Sequence, residues 1–427
     1  MSSTVTENEG SKDVQLLRRR LLQYKEYLRE TDEDLSLVHL SSSCRPVVAF
    51  FQEVIDSLSR DVERQAEELE RLSPSLRSER CGNLIESLEH FMHFVSDMVR
   101  GSRHIPNSFF HLMELMQESL PEDWRFSYLI WNAPYLATFD ANRFIGELLA
   151  PFIRVRELID SGEHSWVFRV PPSIIKEPLN WPLVAHEVGH VLEQTQVKAI
   201  VSVHGPRPSN RELILDPWST VSMKFLHSEE FQADFIASYL FGPSFEERLV
   251  SNYFTQEISL SPTHPSWENR IKVLHEYGLD LLPGKGKYEE IIRPYVDRIR
   301  DQLAAITTVS SDFANPKDVL GKTAEALNGR LTPFDCTCRG LDESRLRLGL
   351  FLPYTADYRC LLNAAILCIN EAMKTYREED FRSGRDEREY RYLVEDCVRL
   401  CHLRIHYTRR AEEQRIVSEA LADDVPT

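Results

Sequence analysis

Residues 179–194 read LNWPLVAHEVGHVLEQ and place two histidines, His186 and His190, four residues apart. No helix breaker follows the proline of this segment, so we expect a helix that Asn180 caps and that runs to residue 194. Four residues make about one helical turn, so both imidazoles lie on one face and can reach a single metal ion. The fold must then bring further ligands to that face from elsewhere in the chain.

Two residues between the histidines add to this pattern. Glu187 lies about 100° around the helix from His186, an offset typical of a carboxylate that acts on the metal's water instead of binding the metal. Gly189 leaves room for a second element to pack closely. With fourteen histidines in the chain, the motif arises by chance with a probability on the order of a few per cent. The alternative is a structural helix with two solvent-facing histidines.

The second informative segment is HSEEFQADFIASYL, residues 227–240. Glu230 and Asp234 are four residues apart among apolar side chains, and buried carboxylates usually need a cation or hydrogen-bond donors. We expect Glu230 to be the third metal ligand and Asp234 to accept the free ring N–H of a ligand histidine, which fixes its tautomer. The alternative is an exposed acidic helix start that favours the macrodipole. The other candidates for the third ligand are Glu229, His227 and His204.

H-E-x-x-H followed by E-x-x-A-D resembles the gluzincin metallopeptidases, and is most similar to the CAAX prenyl protease and heat-shock membrane peptidase family. A further segment, THPSWENRI at 263–271, resembles that family's T-H-P…R-I element and would place His264 and Arg270 near the cleft. The resemblance covers roughly residues 160–275. It implies a zincin-type fold, one zinc ion and endopeptidase activity. This chain departs from the family in having no predicted transmembrane helix.

Residues 165–170, SWVFRV, are predicted to form a β-strand that stops at the two following prolines. Zincins bind extended peptide alongside an edge strand just before the active-site helix, through main-chain hydrogen bonds. The segment fits that role, and the alternative is an ordinary sheet strand.

Charge and composition exclude several classes of partner. Fifty basic and sixty-seven acidic residues give a formal charge of −17, which repels nucleic acid phosphates and anionic lipid surfaces. The longest apolar stretches, such as LLNAAILCI, fall short of the roughly 20 residues that a membrane span needs, and the N-terminus lacks a signal-peptide layout. We expect a soluble cytoplasmic protein whose eight cysteines are mostly free thiols, without a cysteine zinc ribbon.

The predicted fold class is mainly α with a small β-sheet (α+β). We expect an N-terminal helical domain at 1–108, a zincin-like metallopeptidase domain at 109–280 and a C-terminal helical domain at 281–427. The Gly- and Lys-containing stretch 281–290 is predicted to be a linker, and the turn-rich stretch 309–345 a long loop. The N-terminal helices are either simple core packing or a docking surface for a partner.

These patterns predict a soluble zinc-dependent metalloendopeptidase. His186, His190 and Glu230 bind Zn²⁺, and Glu187 is the general base that activates a zinc-bound water and passes its proton to the leaving amine. The ligand would be a peptide or protein substrate.

Three further residues have predicted roles: Asp234 orients a ligand histidine, and His264 or Arg270 stabilises the oxyanion. The last two could instead belong to a packing element. The alternative function is a catalytically silent or latent zincin-domain scaffold or effector, controlled by a regulatory protein partner that binds the helical domains.

Overall fold

The computed structural model describes residues 4–35, 43–68, 71–161, 164–208, 213, 216, 219–253, 264–297, 315–349, 357–376 and 384–423. Within these ranges the chain is mainly α-helical with one three-stranded β-sheet, which confirms the predicted fold class. Contacts divide the chain into two compact units. The first comprises Met1–Ile105 and Phe126–Pro172, and the second Pro106–Arg125 and Ser173–Thr427. The division into three domains stays a prediction.

The elements up to Val170 are, in chain order, α1 Thr4–Leu35, α2 Arg45–Glu68, α3 Pro74–Ser102, α4 Asn107–Glu118, β1 Ser127–Asn132, β2 Ala137–Asp140, α5 Ala141–Leu148, α6 Ile153–Ser161 and β3 Ser165–Val170. The remaining helices are α7 Pro172–Lys176, α8 Val184–Leu192, α9 Ala199–His204, α10 Thr220–Phe241, α11 Pro243–Tyr253, α12 Trp267–Val273, α13 Lys285–Val296, α14 Pro316–Leu327, α15 Arg339–Gly349, α16 Tyr358–Tyr376 and α17 Gly384–Asp423. Short 3₁₀ segments lie at Glu122–Trp124, Pro178–Leu183 and Leu279–Leu281, and π-helical turns at Glu193–Val197 and Leu274–Gly278.

The first unit contains the sheet, in the strand order β1-β3-β2. β3 pairs parallel with β1, with Ser127 opposite Ser165, and antiparallel with β2, with Ala137 opposite Arg169. The predicted strand at 165–170 is therefore confirmed. Its predicted role as a peptide-binding edge strand is wrong, because both of its sides are already hydrogen-bonded to neighbouring strands.

In the second unit, α8 packs directly against α10 at two small residues. A Cβ atom added to Gly189 would lie 2.7 Å from the Ala233 Cα and 2.8 Å from the Ala233 carbonyl oxygen. The backbones of the two helices are thus in contact, and only glycine fits at position 189. This close approach places the inward faces of both helices around one small volume.

The start of the histidine helix differs from the sequence prediction. Asn180 does not cap it: the residue lies inside the 3₁₀ segment Pro178–Leu183, which leads directly into α8. The Asn180 side-chain amide donates to the Glu177 carboxylate at 2.8 Å and to the Ser173 carbonyl at 3.3 Å. Because the chain is already turning before Val184, the first α-helical N–H groups do not depend on a side-chain cap. The α-helix ends at Leu192, and the π-helical turn Glu193–Val197 continues it past the predicted end at residue 194.

The predicted long loop at 309–345 is wrong for residues 316–327 and 339–345, whereas residues 328–338 between them are turns and irregular chain as predicted. Residues 316–327 form α14, whose first residue is Pro316 and whose buried side chains Val319, Leu320 and Leu327 follow helical spacing. Residues 339–345 belong to α15. The prediction gave too much weight to the turn residues of this stretch and too little to its apolar spacing. Residues 309–314 lie outside the described ranges.

The stretch 281–290 is a tight turn followed by a helix. Gly284 has φ +68°, a conformation that favours glycine, and α13 begins at the next residue.

In the part of the chain that the structure describes, we find no helix with the length and apolar character to cross a membrane. All eight cysteines are free thiols and all but Cys338 are buried, which confirms the prediction for them.

Candidate metal centre

Two helices bring three potential metal ligands together. His186 and His190 project from α8 and Glu230 from α10. The two Nε2 atoms of the histidines are 3.1 Å apart, and they lie 3.3 Å and 3.4 Å from the Glu230 carboxylate oxygens. All three donor atoms lie within 4.8 Å of one another, so this largely buried group can hold a metal ion.

Glu230, and none of the other candidate third ligands, belongs to this group of described residues. Glu229, the neighbour on the same helix, forms an ion pair with Arg207 at 2.9 Å. His204 contacts the Ser228 hydroxyl at 3.0 Å. The choice between Glu229 and Glu230 was open in the sequence, and the geometry favours Glu230.

Asp234 contacts the far side of the first histidine. Its Oδ1 atom lies 2.9 Å from His186 Nδ1, and the Asp234 side chain is fully buried. When Nδ1 carries the proton and donates it to Asp234, the Nε2 lone pair faces His190 and Glu230. This is the arrangement that the sequence predicted for Asp234.

Arg270 binds the carboxylates of the site from α12. Its Nε donates to Asp234 Oδ2 at 2.7 Å and its Nη2 to Asp234 Oδ1 at 2.5 Å, while Nη1 lies 3.4 Å from Glu230 Oε2. The guanidinium also stacks on the Trp267 ring, 4.5 Å from its centroid. A buried, bidentate pair of this kind fixes the orientation of Asp234. These contacts fit a positioning role, and the oxyanion role of Arg270 stays a prediction.

His264 lies at the solvent side of the site. Its Nε2 is 3.4 Å from Glu230 Oε1, and 59% of its side chain is exposed. It does not belong to the three-donor group in the described chain. His264 therefore lies next to the site, as the resemblance implied, and its oxyanion role stays a prediction.

Glu187 is buried on the histidine helix, with 5% of its surface exposed. Among the described residues, its carboxylate accepts no hydrogen bond and forms no ion pair with another side chain. It is nevertheless close enough to act electrostatically on His190 and Arg270. A buried carboxylate without a protein donor has its acceptor capacity free for water or substrate.

The electrostatics of the site favour positive charge at the imidazoles. Burial and the charge of Arg270 lower the pKa of His186, but hydrogen bonds to Asp234 and Glu230 outweigh them and raise it to about 9. Burial raises the pKa of Glu230, yet the charge of Arg270 and the hydrogen bond from His186 hold it well below its usual range. The same two neighbours lower the pKa of Asp234 against the effect of burial. A proton or a metal cation is stabilised by the same field.

The buried charges of the site balance within the protein only when both histidines are protonated. Glu187, Glu230 and Asp234 are three buried carboxylates, and Arg270 is the buried guanidinium that faces them. With the carboxylates ionised and the histidines neutral, two negative charges are left over. Glu230 Oε2 is also a buried oxygen whose contacts are long, 3.3 Å to His186 Nε2 and 3.4 Å to Arg270 Nη1. Both features favour the binding of a cation at this site.

The sequence analysis did not identify Glu193, a buried carboxylic acid near the site. Glu193 lies one turn beyond His190, is 6% exposed, and its Oε2 has no hydrogen-bond partner in the described ranges. Burial and the charge of Glu229 raise its pKa to about 7. The signal was present in the sequence, because Glu193 follows His186 by seven residues and thus shares the face of the two histidines.

Comparison with known proteins yields no relative: no protein-family model, curated protein or solved structure matches this chain. The resemblance to gluzincins therefore rests on the motifs alone.

Proposed function

We propose that the chain is a zinc-dependent metallopeptidase of the gluzincin type. The observation that carries the proposal is the joint arrangement of His186, His190 and Glu230 with the Glu187 carboxylate, which forms no ion pair with another side chain of the described residues. Ligands of a tetrahedral zinc at 2.0–2.1 Å are separated from one another by about 3.3–3.4 Å. The two Nε2 atoms are 3.1 Å apart, and each lies at a similar distance from one Glu230 oxygen: His186 Nε2 is 3.3 Å from Oε2, and His190 Nε2 is 3.4 Å from Oε1.

The donor set also supports zinc in a catalytic setting. Two imidazole nitrogens and one carboxylate oxygen are a common set for catalytic zinc, which keeps its fourth position open, whereas structural zinc sites are closed by four protein ligands. The two negative charges that remain when the histidines are neutral equal in magnitude the charge of one divalent ion. His264, the nearest additional nitrogen donor, is outside the three-donor group.

When bound, the zinc ion supplies Lewis acidity, which polarises the scissile carbonyl and lowers the pKa of water. Residues of the chain carry out the proton transfers. Glu187 accepts a proton from the attacking water as the oxygen adds to the carbonyl carbon. It then gives this proton to the nitrogen of the leaving amine as the C–N bond breaks.

The surrounding residues hold this geometry. Asp234 accepts the Nδ1 proton of His186 and so keeps the Nε2 lone pair available. Arg270 holds the Asp234 carboxylate through two hydrogen bonds and lies beside Glu230. The Gly189–Ala233 contact sets the spacing of the two helices that carry the ligands. The substrate class that fits these groups is a peptide or an unfolded protein.

Metal analysis combined with a hydrolysis assay tests the proposal. Protein purified without added zinc should contain about one zinc per chain, and it should cleave unfolded casein in a reaction that a chelator stops and added zinc restores. Protein that carries no metal and takes up none would contradict the proposal. Zinc without any hydrolysis would instead indicate the zinc-binding scaffold or latent effector.

A further inference from the structure

Two cysteines outside the three-donor group have their sulfur atoms in contact. Cys338 lies in the turn before α15 and Cys360 in the first turn of α16, and their Sγ atoms are 3.4 Å apart. A disulfide bond measures about 2.05 Å, so rotation of the side chains needs to close only about 1.4 Å. Neither sulfur is bonded to another cysteine.

The backbone on both sides of the pair is held in place. Asp335 Oδ1 accepts hydrogen bonds from the Thr337 N–H at 2.8 Å and the Thr337 hydroxyl at 2.7 Å, which orders the turn before Cys338. The residue before Cys360, Arg359, donates to the Thr332 carbonyl at 3.2 Å and so ties the two segments together. The two sulfurs therefore face each other because of the fold and not by chance rotation of exposed side chains.

The two thiols differ in accessibility, which gives them different chemical roles. Cys338 is half-buried, whereas Cys360 is 5% exposed. Burial and the hydrogen bond to Cys338 raise the pKa of the Cys360 thiol, which disfavours its thiolate. A dissolved oxidant thus meets Cys338 first, and Cys360 is positioned to attack the Cys338 sulfur afterwards.

We propose that Cys338 and Cys360 form a reversible intramolecular disulfide when the chain meets a low-molecular-weight disulfide such as oxidised glutathione. The Cys338 thiolate attacks one glutathione sulfur and releases the first glutathione thiolate. The Cys360 sulfur then attacks the Cys338 sulfur of the mixed disulfide, and the second glutathione leaves with the Cys360 proton. Two protein thiols are oxidised and one glutathione disulfide is reduced to two thiols.

This bond would join two segments that both hold the end of the ligand helix α10. Phe334 donates its backbone N–H to the Tyr239 carbonyl at 2.8 Å. From α16, Asn363 donates its side-chain amide to the Phe241 carbonyl at 2.7 Å. Oxidation would therefore link the two segments that hydrogen-bond to the C-terminal end of α10, the helix that carries Glu230. The formation of the disulfide does not depend on the proposed function.

Peptide mapping of the full-length protein tests the inference. The protein is titrated with oxidised glutathione, quenched with acid, alkylated and digested without reduction. A peptide linking Cys338 to Cys360 should be the first cross-link to appear, and a dithiol should reverse it. Persistent glutathione on Cys338 without the cross-link, or a first cross-link between Cys397 and Cys401, would overturn the proposal.

Three variants separate the roles. Cys360→Ser should trap glutathione on Cys338, because the resolving sulfur is gone, and Cys338→Ser should leave Cys360 reduced. The matched control is Cys368→Ser, which removes another buried thiol of α16 and should leave the cross-link at the wild-type level. Loss of the cross-link in Cys368→Ser, or a cross-link from Cys360 to another cysteine in Cys338→Ser, would show that a different pair reacts.

Discussion

Asp234 connects the metal centre to the rest of the protein at the level of single residues. Its carboxylate accepts two hydrogen bonds from Arg270 and lies 2.9 Å from His186 Nδ1. An asparagine would keep the volume but lose the charge and part of the acceptor capacity. The orientation of His186 would then be less restricted, although all three metal ligands would still be present.

We therefore expect Asp234→Asn to retain zinc with an affinity weakened by roughly 10- to 100-fold, the usual effect of losing a group that orients a ligand. Competition with a chromogenic chelator measures this affinity. Asp280→Asn, a change at a carboxylate that is 68% exposed, serves as the control and should not alter zinc binding. Equal zinc affinities for Asp234→Asn and the wild type would show that Asp234 does not orient a metal ligand.

The sequence predicted the individual site residues well where helical spacing decides the outcome. A four-residue step places His186 beside His190, and Glu230 beside Asp234, whatever the rest of the fold is. The contact between the two pairs could not be predicted from spacing, because it depends on how the two helices rotate relative to each other. For the same reason the sequence left Glu229 as a candidate, and a rotation of about 100° separates it from Glu230.

At the level of elements, the crossing of α8 and α10 sets the distance between the histidines and Glu230. An ordinary exposed helical glycine is destabilising relative to alanine by roughly 0.5–1 kcal/mol. At Gly189 the close approach of Ala233 reverses that preference. Gly189 therefore lowers the intrinsic stability of α8 but allows the short distance between α8 and α10.

We expect Gly189→Ala to lower the free energy of unfolding by about 1–3 kcal/mol, because the new methyl group forces the two backbones apart. Zinc affinity should fall as well, since the ligand atoms separate with the helices. Chemical denaturation and chelator competition measure the two effects. Gly321→Ala in α14 is the matched control: nothing lies within 4 Å of an added Cβ there, so this change should be neutral or stabilising. If Gly189→Ala behaved like Gly321→Ala, the close contact would not determine the site.

The types of the two ligand helices and of β3 were predictable in this chain, whereas β1, β2, α14 and several boundaries were not. Apolar periodicity predicted the helices that carry the ligands, and β-branched and aromatic residues predicted β3. β3 pairs with residues of β1 that lie 38 positions earlier and with residues of β2 that lie 26 to 32 positions earlier. A local sequence pattern does not contain such tertiary contacts. The 3₁₀ segment before α8 and the π-helical turn after it arise from packing and carry no comparable sequence signal.

At the level of the whole molecule, the metal should contribute to folding stability. Only the folded chain brings the three ligands together, because they lie on two different helices, α8 and α10. A ligand that binds the folded state alone stabilises it by about 2.7 kcal/mol at a concentration 100 times its dissociation constant.

Adding zinc to chelator-treated protein should therefore raise the melting temperature, and the rise should disappear in His186→Ala, His190→Ala and Glu230→Ala. Glu229→Ala is the matched control on the same helix and should keep the zinc-dependent rise. Calorimetry with and without zinc measures it. A zinc-dependent rise that persists in Glu230→Ala and vanishes in Glu229→Ala would mean that the wrong carboxylate has been assigned to the metal.

Glu187 separates an enzyme from a zinc-binding protein with the same fold. Glu187→Gln keeps the volume and nearly the same helix propensity, so zinc content and melting temperature should change little. An amide cannot accept the proton of the attacking water. The most direct test is the rate of casein hydrolysis by zinc-loaded wild type and Glu187→Gln. We predict a fall of about 100- to 10,000-fold, the range expected for loss of general acid–base catalysis. Equal rates for the two zinc-loaded proteins would contradict the proposed mechanism.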